Sequence, residues 1–340
     1  MKTVAWCQTI ALLALASVPA FAEDNPFLGR WALTLPENGA GWLEIVQQKD
    51  YLDGSLLWYG GSVNPLDSVY MDGDTLYATR GRTVERKDAE GNVVRKQVLT
   101  EMLTLTVSGD TLTGVRMSPK DDGKGVNKDE FTGKRIPPLP AKPDLSRVKF
   151  DKPITLFNGK DLEGWKLTDP AAANGWSVEK GVLVNNPVQQ QGQPKKHYGN
   201  LRTEKEFEDF NLKLEVNVPP NGNSGIYLRG IYEIQVCDSF GKPAEEHTMG
   251  SIYSRIAPTA SAEKPAGEWQ TFDITLLDRH VTVKLNGKVI IDNQPLPGCT
   301  GGALWSDEFR PGPVYLQGDH TAVQYRNVVL TPVIEEKSTT

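Results

Sequence analysis

The chain has 340 residues, a formal net charge of -6 and a pI near 5.4. That balance excludes a nucleic-acid partner, because phosphate binding calls for concentrated Lys and Arg. With 32 glycines, 23 prolines and no long amphipathic helical window, the composition excludes a helical bundle and points to an all-β chain rich in turns.

Residues 1–22 read as a secretory signal peptide. Lys2 precedes an apolar stretch, and Ala20-Phe21-Ala22 has the small-x-small pattern of a cleavage site. The stretch is too short to span a bilayer, and no later segment is long or apolar enough to do so. Cys7 lies early in the stretch, which argues against a lipid anchor. The mature chain is expected to begin at Glu23 and to be exported, to a periplasm, without membrane attachment. Cys237 and Cys299 then remain. In an oxidising compartment they could pair, or each could be a small buried hydrophobe, and the sequence leaves both readings open.

The length suggests two domains. From 23 to 136, strands are expected at Trp31–Leu35, Trp42–Gln48, Ser55–Tyr59, Thr75–Thr79, Val98–Val107 and Thr111–Met117. The phrase GDTL, at Gly73–Leu76 and again at Gly109–Leu112, reads as a hairpin turn. Successive hairpins suggest a small antiparallel barrel of lipocalin-like type in an accessory role. Residues 137–150 carry four prolines, Pro137, Pro138, Pro140 and Pro143, and no periodicity; they read as a linker.

Between 151 and 332, strands are expected at Trp176–Glu179, Val182–Val184, Phe210–Val218, Ser224–Arg229 and Ile231–Cys237. Others follow at Glu268–Leu277, His280–Leu285, Val289–Asp292, Pro313–Gly318 and Val323–Leu330, with Asn286-Gly287 as a two-residue hairpin. Two packed antiparallel sheets of this kind make a jelly-roll sandwich. Residues 333–340 form a polar tail.

The run from Leu201 to Asp238 carries the chemistry. Strand side chains alternate between faces, so Tyr232, Ile234 and Val236 share one face and Glu233 and Gln235 the other. Tyr227 and Arg229 share a parity on the preceding strand. If the strands are neighbours, these polar groups converge on a surface able to hold a polyhydroxylated ligand. Each has a plainer reading: Arg229 and Glu233 as a cross-strand ion pair, Trp269 as core, Asn223-Ser224-Gly225 as a turn. His280 reads as a solvated turn residue, and His197 and His247 as loop residues.

The phrases Leu156–Trp165, Asn223–Gly230, Tyr232–Val236 with Asp238-Ser239, Gly267–Thr271, Leu285–Gly287 and Tyr325–Val328 together carry a resemblance. In them the segment 151–332 resembles the bacterial 3-keto-disaccharide hydrolase family, long catalogued as a domain of unknown function. Two departures from the family pattern are Cys237, where an aliphatic residue is usual, and Gly318, an extra residue within Leu316–His320. The resemblance implies a concanavalin-like jelly roll and a small-molecule carbohydrate substrate, a glycoside already oxidised to a ketone at C3. That ketone acidifies the C2 hydrogen, so base-catalysed elimination can expel the C1 substituent before water adds back. Such a route needs no pair of carboxylates flanking the bond.

On this resemblance Glu233, His320, Asp238 and Arg229 are the expected catalytic residues, with His320 as base or acid and Arg229 holding an oxyanion. Glu233, Asp238 and His320 are also the expected ligands of a divalent metal ion acting as Lewis acid. Gln235, Asn223 and Gln317 suit hydroxyl recognition, and Tyr227 or Trp269 could stack on a sugar face. The alternative is a non-catalytic carbohydrate-binding module, since a sandwich alone does not decide function. The absence of a Glu-x-Asp-x-Glu run lowers the reading as a conventional glycosidase.

Overall fold

The computed structural model describes residues 25–190 and 192–334. The expected signal peptide and most of the tail lie outside the described residues.

Nine strands precede the proline-rich segment: β1 (Gly29–Thr34), β2 (Ala40–Gln47), β3 (Leu52–Trp58), β4 (Asn64–Pro65), β5 (Ser68–Asp72), β6 (Thr75–Lys87), β7 (Val93–Ser108), β8 (Thr111–Pro119) and β9 (Val126–Ile136). Antiparallel pairing runs β2-β1-β9-β8-β7-β6-β5-β3, and β2 pairs again with β3, so eight strands close into a barrel with β4 appended. The expected strands are present, and β6 and β7 run well beyond them. Strands β5 and β9 complete the ring, and neither had been expected. Closure removes the exposed edges that an open sheet would leave. Alternate side chains, among them Trp31, Leu33, Leu43, Ile45, Leu103 and Leu105, fill the interior.

The second half contains β10 (Ile154–Thr155), β11 (Trp165–Leu167), β12 (Trp176–Glu179), β13 (Val182–Asn185), β14 (Leu201–Thr203), β15 (Phe210–Asn217), β16 (Asn223–Leu228) and β17 (Tyr232–Cys237). It continues with β18 (Gln270–Leu277), β19 (His280–Leu285), β20 (Lys288–Pro295), β21 (Tyr315–Leu316) and β22 (Val323–Pro332). One sheet is ordered β12-β13-β22-β15-β18-β19-β20 and the other β11-β14-β21-β16-β17. Their inner faces share one apolar cluster: Phe210, Leu212, Leu214 and Val216 alternate along β15, and Ile226, Ile234 and Val236 come from the other sheet. This is a two-sheet antiparallel sandwich. The expected Asn286-Gly287 hairpin is present, with both residues left-handed (φ 50 and 83), as a two-residue primed turn requires.

The barrel is packed onto the sandwich. Trp42, Leu57 and Ile136 belong to the sandwich's apolar cluster. The Trp42 indole donates to the Pro297 carbonyl at 2.9 Å, and the Arg255 guanidinium lies 4.0 Å from the Trp42 ring centre. The proline-rich segment is tied down as well: Pro138 and Pro143 carbonyls accept from Arg279 and Asn293 at 2.9 Å. Both cysteines are free thiols. His280 is buried on β19, its Nδ1 2.9 Å from the Asp278 carbonyl, and is not the solvated turn residue expected.

Candidate active site

The hairpin of β16 and β17 pairs Tyr227 with Glu233 and Gly225 with Gln235. Tyr232, Ile234 and Val236 point into the core. Tyr227, Glu233 and Gln235 line a cavity of about 240 Å³ on the other face, with Asn223, Gln317 and His320 also at its wall. The strand parity read from the sequence brings Tyr227, Glu233 and Gln235 together, and Asn223, Gln317 and His320 join them there.

Glu233 is 4 % exposed. Burial pushes its pKa up to about 8, against opposing pulls from the Tyr227 hydroxyl and the His320 charge. The bonding around it agrees with a neutral acid. The Tyr227 hydroxyl lies 2.7 Å from Glu233 Oε2 and 2.7 Å from the Gly301 carbonyl. A phenol has one proton and cannot donate to both. A protonated Glu233 resolves this by donating to Tyr227, which in turn donates to Gly301. A Cβ at 225 would overlap the Glu233 carboxyl group, so the glycine there leaves the acid its place.

Beside it, the His320 Nδ1 is 2.7 Å from Asp319 Oδ1. That hydrogen bond raises the His320 pKa above its ordinary 6.5, although partial burial opposes it. Burial would raise Asp319, but the His320 hydrogen bond and charge outweigh it and hold the carboxyl below its usual range. Gly318 fits the turn that presents this pair. Its N–H donates to Asn200 Oδ1 at 2.8 Å, and a Cβ would sit 2.7 Å from the Trp176 indole nitrogen.

Three side-chain amide oxygens at the cavity wall, of Asn223, Gln235 and Gln317, are buried without a protein hydrogen-bond partner. A buried acceptor left unpaired is costly, so these groups suit a ligand bearing several hydroxyl donors.

Other expected site residues lie elsewhere. Arg229 is 2 % exposed, and its φ of 54 turns it out of the strand alternation. Its Nη2 donates to the Glu308 and Arg310 carbonyls at 2.7 Å, so it pins a loop rather than facing the cavity. Asp238, one residue past β17, accepts from the Asn221 N–H at 2.9 Å and is not at the cavity wall. Trp269 immediately precedes β18 of the other sheet, its ring under the Arg326 guanidinium at 4.0 Å. Tyr227 is no stacking platform on one face, which Tyr315 covers at 3.9 Å and 9°. The expected metal ligands do not gather: Glu233 and His320 share the cavity, Asp238 does not. Among the described residues no group of three or more His, Cys, Asp or Glu is placed to hold a metal ion.

Sequence reasoning missed Asn200, Tyr253, Tyr315, Gly301, Gly302 and Asp319 at the cavity wall. Asp319 had a signal, its place beside His320; the rest come from loops and a two-residue strand with none.

A family model described as a 3-keto-alpha-glucoside-1,2-lyase-like domain matches residues 152–331. A 3-keto-disaccharide hydrolase of Bacteroides thetaiotaomicron is 26% identical over 172 residues, covering 43% of this chain and 59% of that protein. A solved structure from Parabacteroides distasonis, provisionally named a glycosyl hydrolase, is 31% identical and covers 58% of this chain and 93% of its own, with a TM-score of 0.43. A second from the same organism, similarly named, is 23% identical over 52% of this chain and 92% of its own, with a TM-score of 0.43. With more than half its length matched, the chain belongs to the 3-keto-alpha-glucoside-1,2-lyase-like family.

Proposed function

We propose that the protein is an exported, periplasmic carbohydrate-active enzyme that cleaves 3-keto-glycosides or 3-keto-disaccharides. In this reading residues 151–332 form a concanavalin-like catalytic jelly roll, and the barrel of 23–136, of lipocalin-like type, is accessory to it. The observation that carries the reading is the meeting, in one cavity, of a buried carboxyl group, Glu233, with a histidine, His320. Burial favours the protonated form of Glu233, whose carboxyl lies 2.7 Å from the Tyr227 hydroxyl, and the His320 Nδ1 is 2.7 Å from Asp319.

His320 takes the C2 proton, which the C3 ketone has made acidic, and the electron pair moves to form an enediolate. Collapse of the enediolate expels the C1 oxygen, to which Glu233 gives its proton. The product is an unsaturated 2-hydroxy-3-keto sugar; water adding across C1 and C2 completes a net hydrolysis. Asp319 holds the imidazole in orientation and stabilises its charged form. The Asn223, Gln235 and Gln317 oxygens accept from sugar hydroxyls. A recognition module would use the three amide oxygens equally well, but it has no need of a protonated carboxyl or a His–Asp pair.

The test is aglycone release from a 3-keto-glucoside and from its unoxidised parent by the purified mature protein. Release from the keto compound alone supports the enzyme. Sugar binding without release from either would favour the binding module, and release from the parent would favour a conventional glycosidase.

A further inference from the structure

The barrel lies outside the matched family segment, yet it supplies part of the cavity wall. Gly60 and Gly61, in the loop joining β3 to β4, line it together with the sandwich residues. This loop is held in place along its length. The Tyr59 carbonyl accepts from the Gly302 N–H at 3.3 Å, and the Val63 N–H donates to Ser254 Oγ at 2.9 Å. Ser62 Oγ lies 2.9 Å from His247 Nε2, whose ring meets Tyr253 edge-on at 5.0 Å between centres. Gly61 abuts Gly301 so closely that a Cβ on Gly301 would fall 2.6 Å from the Gly61 nitrogen.

Gly301 is also the residue whose carbonyl takes the Tyr227 hydroxyl, and Tyr227 bonds Glu233. The loop therefore shares the cavity wall with the acid and is linked to it through Gly301 and Tyr227, and in the functional reading the acid faces the oxygen that leaves C1. Neither Gly60 nor Gly61 carries a side chain, and a Cβ at either would meet nothing within 4 Å. Resting on the functional reading above, we propose that the barrel loop forms the subsite for the leaving group. Its two glycines set how bulky an aglycone or second sugar the enzyme accepts. The barrel is then a specificity element for this chain and not a spacer.

The substitution that tests this is Gly60→Leu, because Gly60, unlike Gly61 at φ +77, is not in the left-handed region. Gly60→Ala serves as the smaller step, and the melting temperature of each variant checks folding. The readout is the ratio of kcat/KM for a 3-keto-glucoside with a methyl leaving group to that for a 3-keto-disaccharide. The proposal expects this ratio to rise by about tenfold or more in Gly60→Leu and by less in Gly60→Ala, on the scale at which pockets discriminate bulk. A ratio equal to that of the wild type in folded variants would overturn the subsite alone. A wild-type protein that cleaves neither keto substrate would overturn the functional reading and the subsite with it.

Discussion

Tyr227 and Glu233 face each other across the β16–β17 hairpin, with the phenolic oxygen 2.7 Å from the carboxyl. The same hydroxyl reaches the Gly301 carbonyl at 2.7 Å, so both short contacts are hydrogen bonds when Glu233 carries a proton. Tyr227→Phe removes the group that takes this proton's hydrogen bond and leaves the acid poorly aimed. We expect kcat for a 3-keto-glucoside to fall by about tenfold to 100-fold with little change in folding, checked by steady-state kinetics beside circular dichroism.

The rate should depend on pH as a bell. His320 must be neutral to act as base, so activity rises as pH passes its raised pKa. Glu233 must be protonated to act as acid, so activity falls as pH passes about 8. The two limbs belong to the coupled pair. Asp319→Asn removes the carboxylate charge that raises His320 and, as a smaller cause, Glu233, so the acidic limb should move to lower pH by more than the alkaline limb. A kcat profile of the variant against wild type reads this.

Glu233 also makes stability depend on pH. Its folded pKa, about 8, exceeds the ordinary 4.5, so the folded chain holds a proton that the unfolded chain releases between those values. Its contribution is complete below about pH 4.5 and is lost as pH rises through about 8. Urea midpoints of Glu233→Gln should fall less steeply over that window than those of wild type, while turnover drops by about 100-fold or more.

Gly225→Ala should lower activity without unfolding the protein. Its Cβ would overlap the Glu233 carboxyl group, itself the end of a movable side chain. Overpacking of this kind costs about 1–3 kcal/mol. The expected result is a small drop in melting temperature with a larger drop in kcat.

Arg229→Met should do the reverse. It leaves the buried Glu308 carbonyl and the part-buried Arg310 carbonyl without this donor, a loss of about 1–3 kcal/mol. Thermal denaturation should show the loss, and kcat per folded molecule should change little. A catalytic role for Arg229 would instead lower kcat in protein of normal stability.

The alternation of apolar residues made most strands legible, including β15 to β20, because each buries one face against a shared core. Strands β5 and β9, needed to close the barrel, lie in stretches with many charged or exposed residues and gave a weaker pattern. At the site, strand parity placed Glu233, Gln235 and Tyr227 correctly. It failed at Arg229, where a positive φ ends the alternation, and it argued against Asp238, whose even number puts it in phase with the core-facing Ile234 and Val236. Gly60, Gly61, Asn200, Tyr253 and Gly301 reach the cavity from loops far apart in sequence. No local pattern records such a meeting.

The central claim is removal of the C2 proton, and its most direct test is a 3-keto-glucoside carrying deuterium at C2. The account predicts a primary kinetic isotope effect on kcat/KM and loss of the label from the cleaved sugar. Cleavage at the unlabelled rate, with deuterium retained at C2, would contradict it.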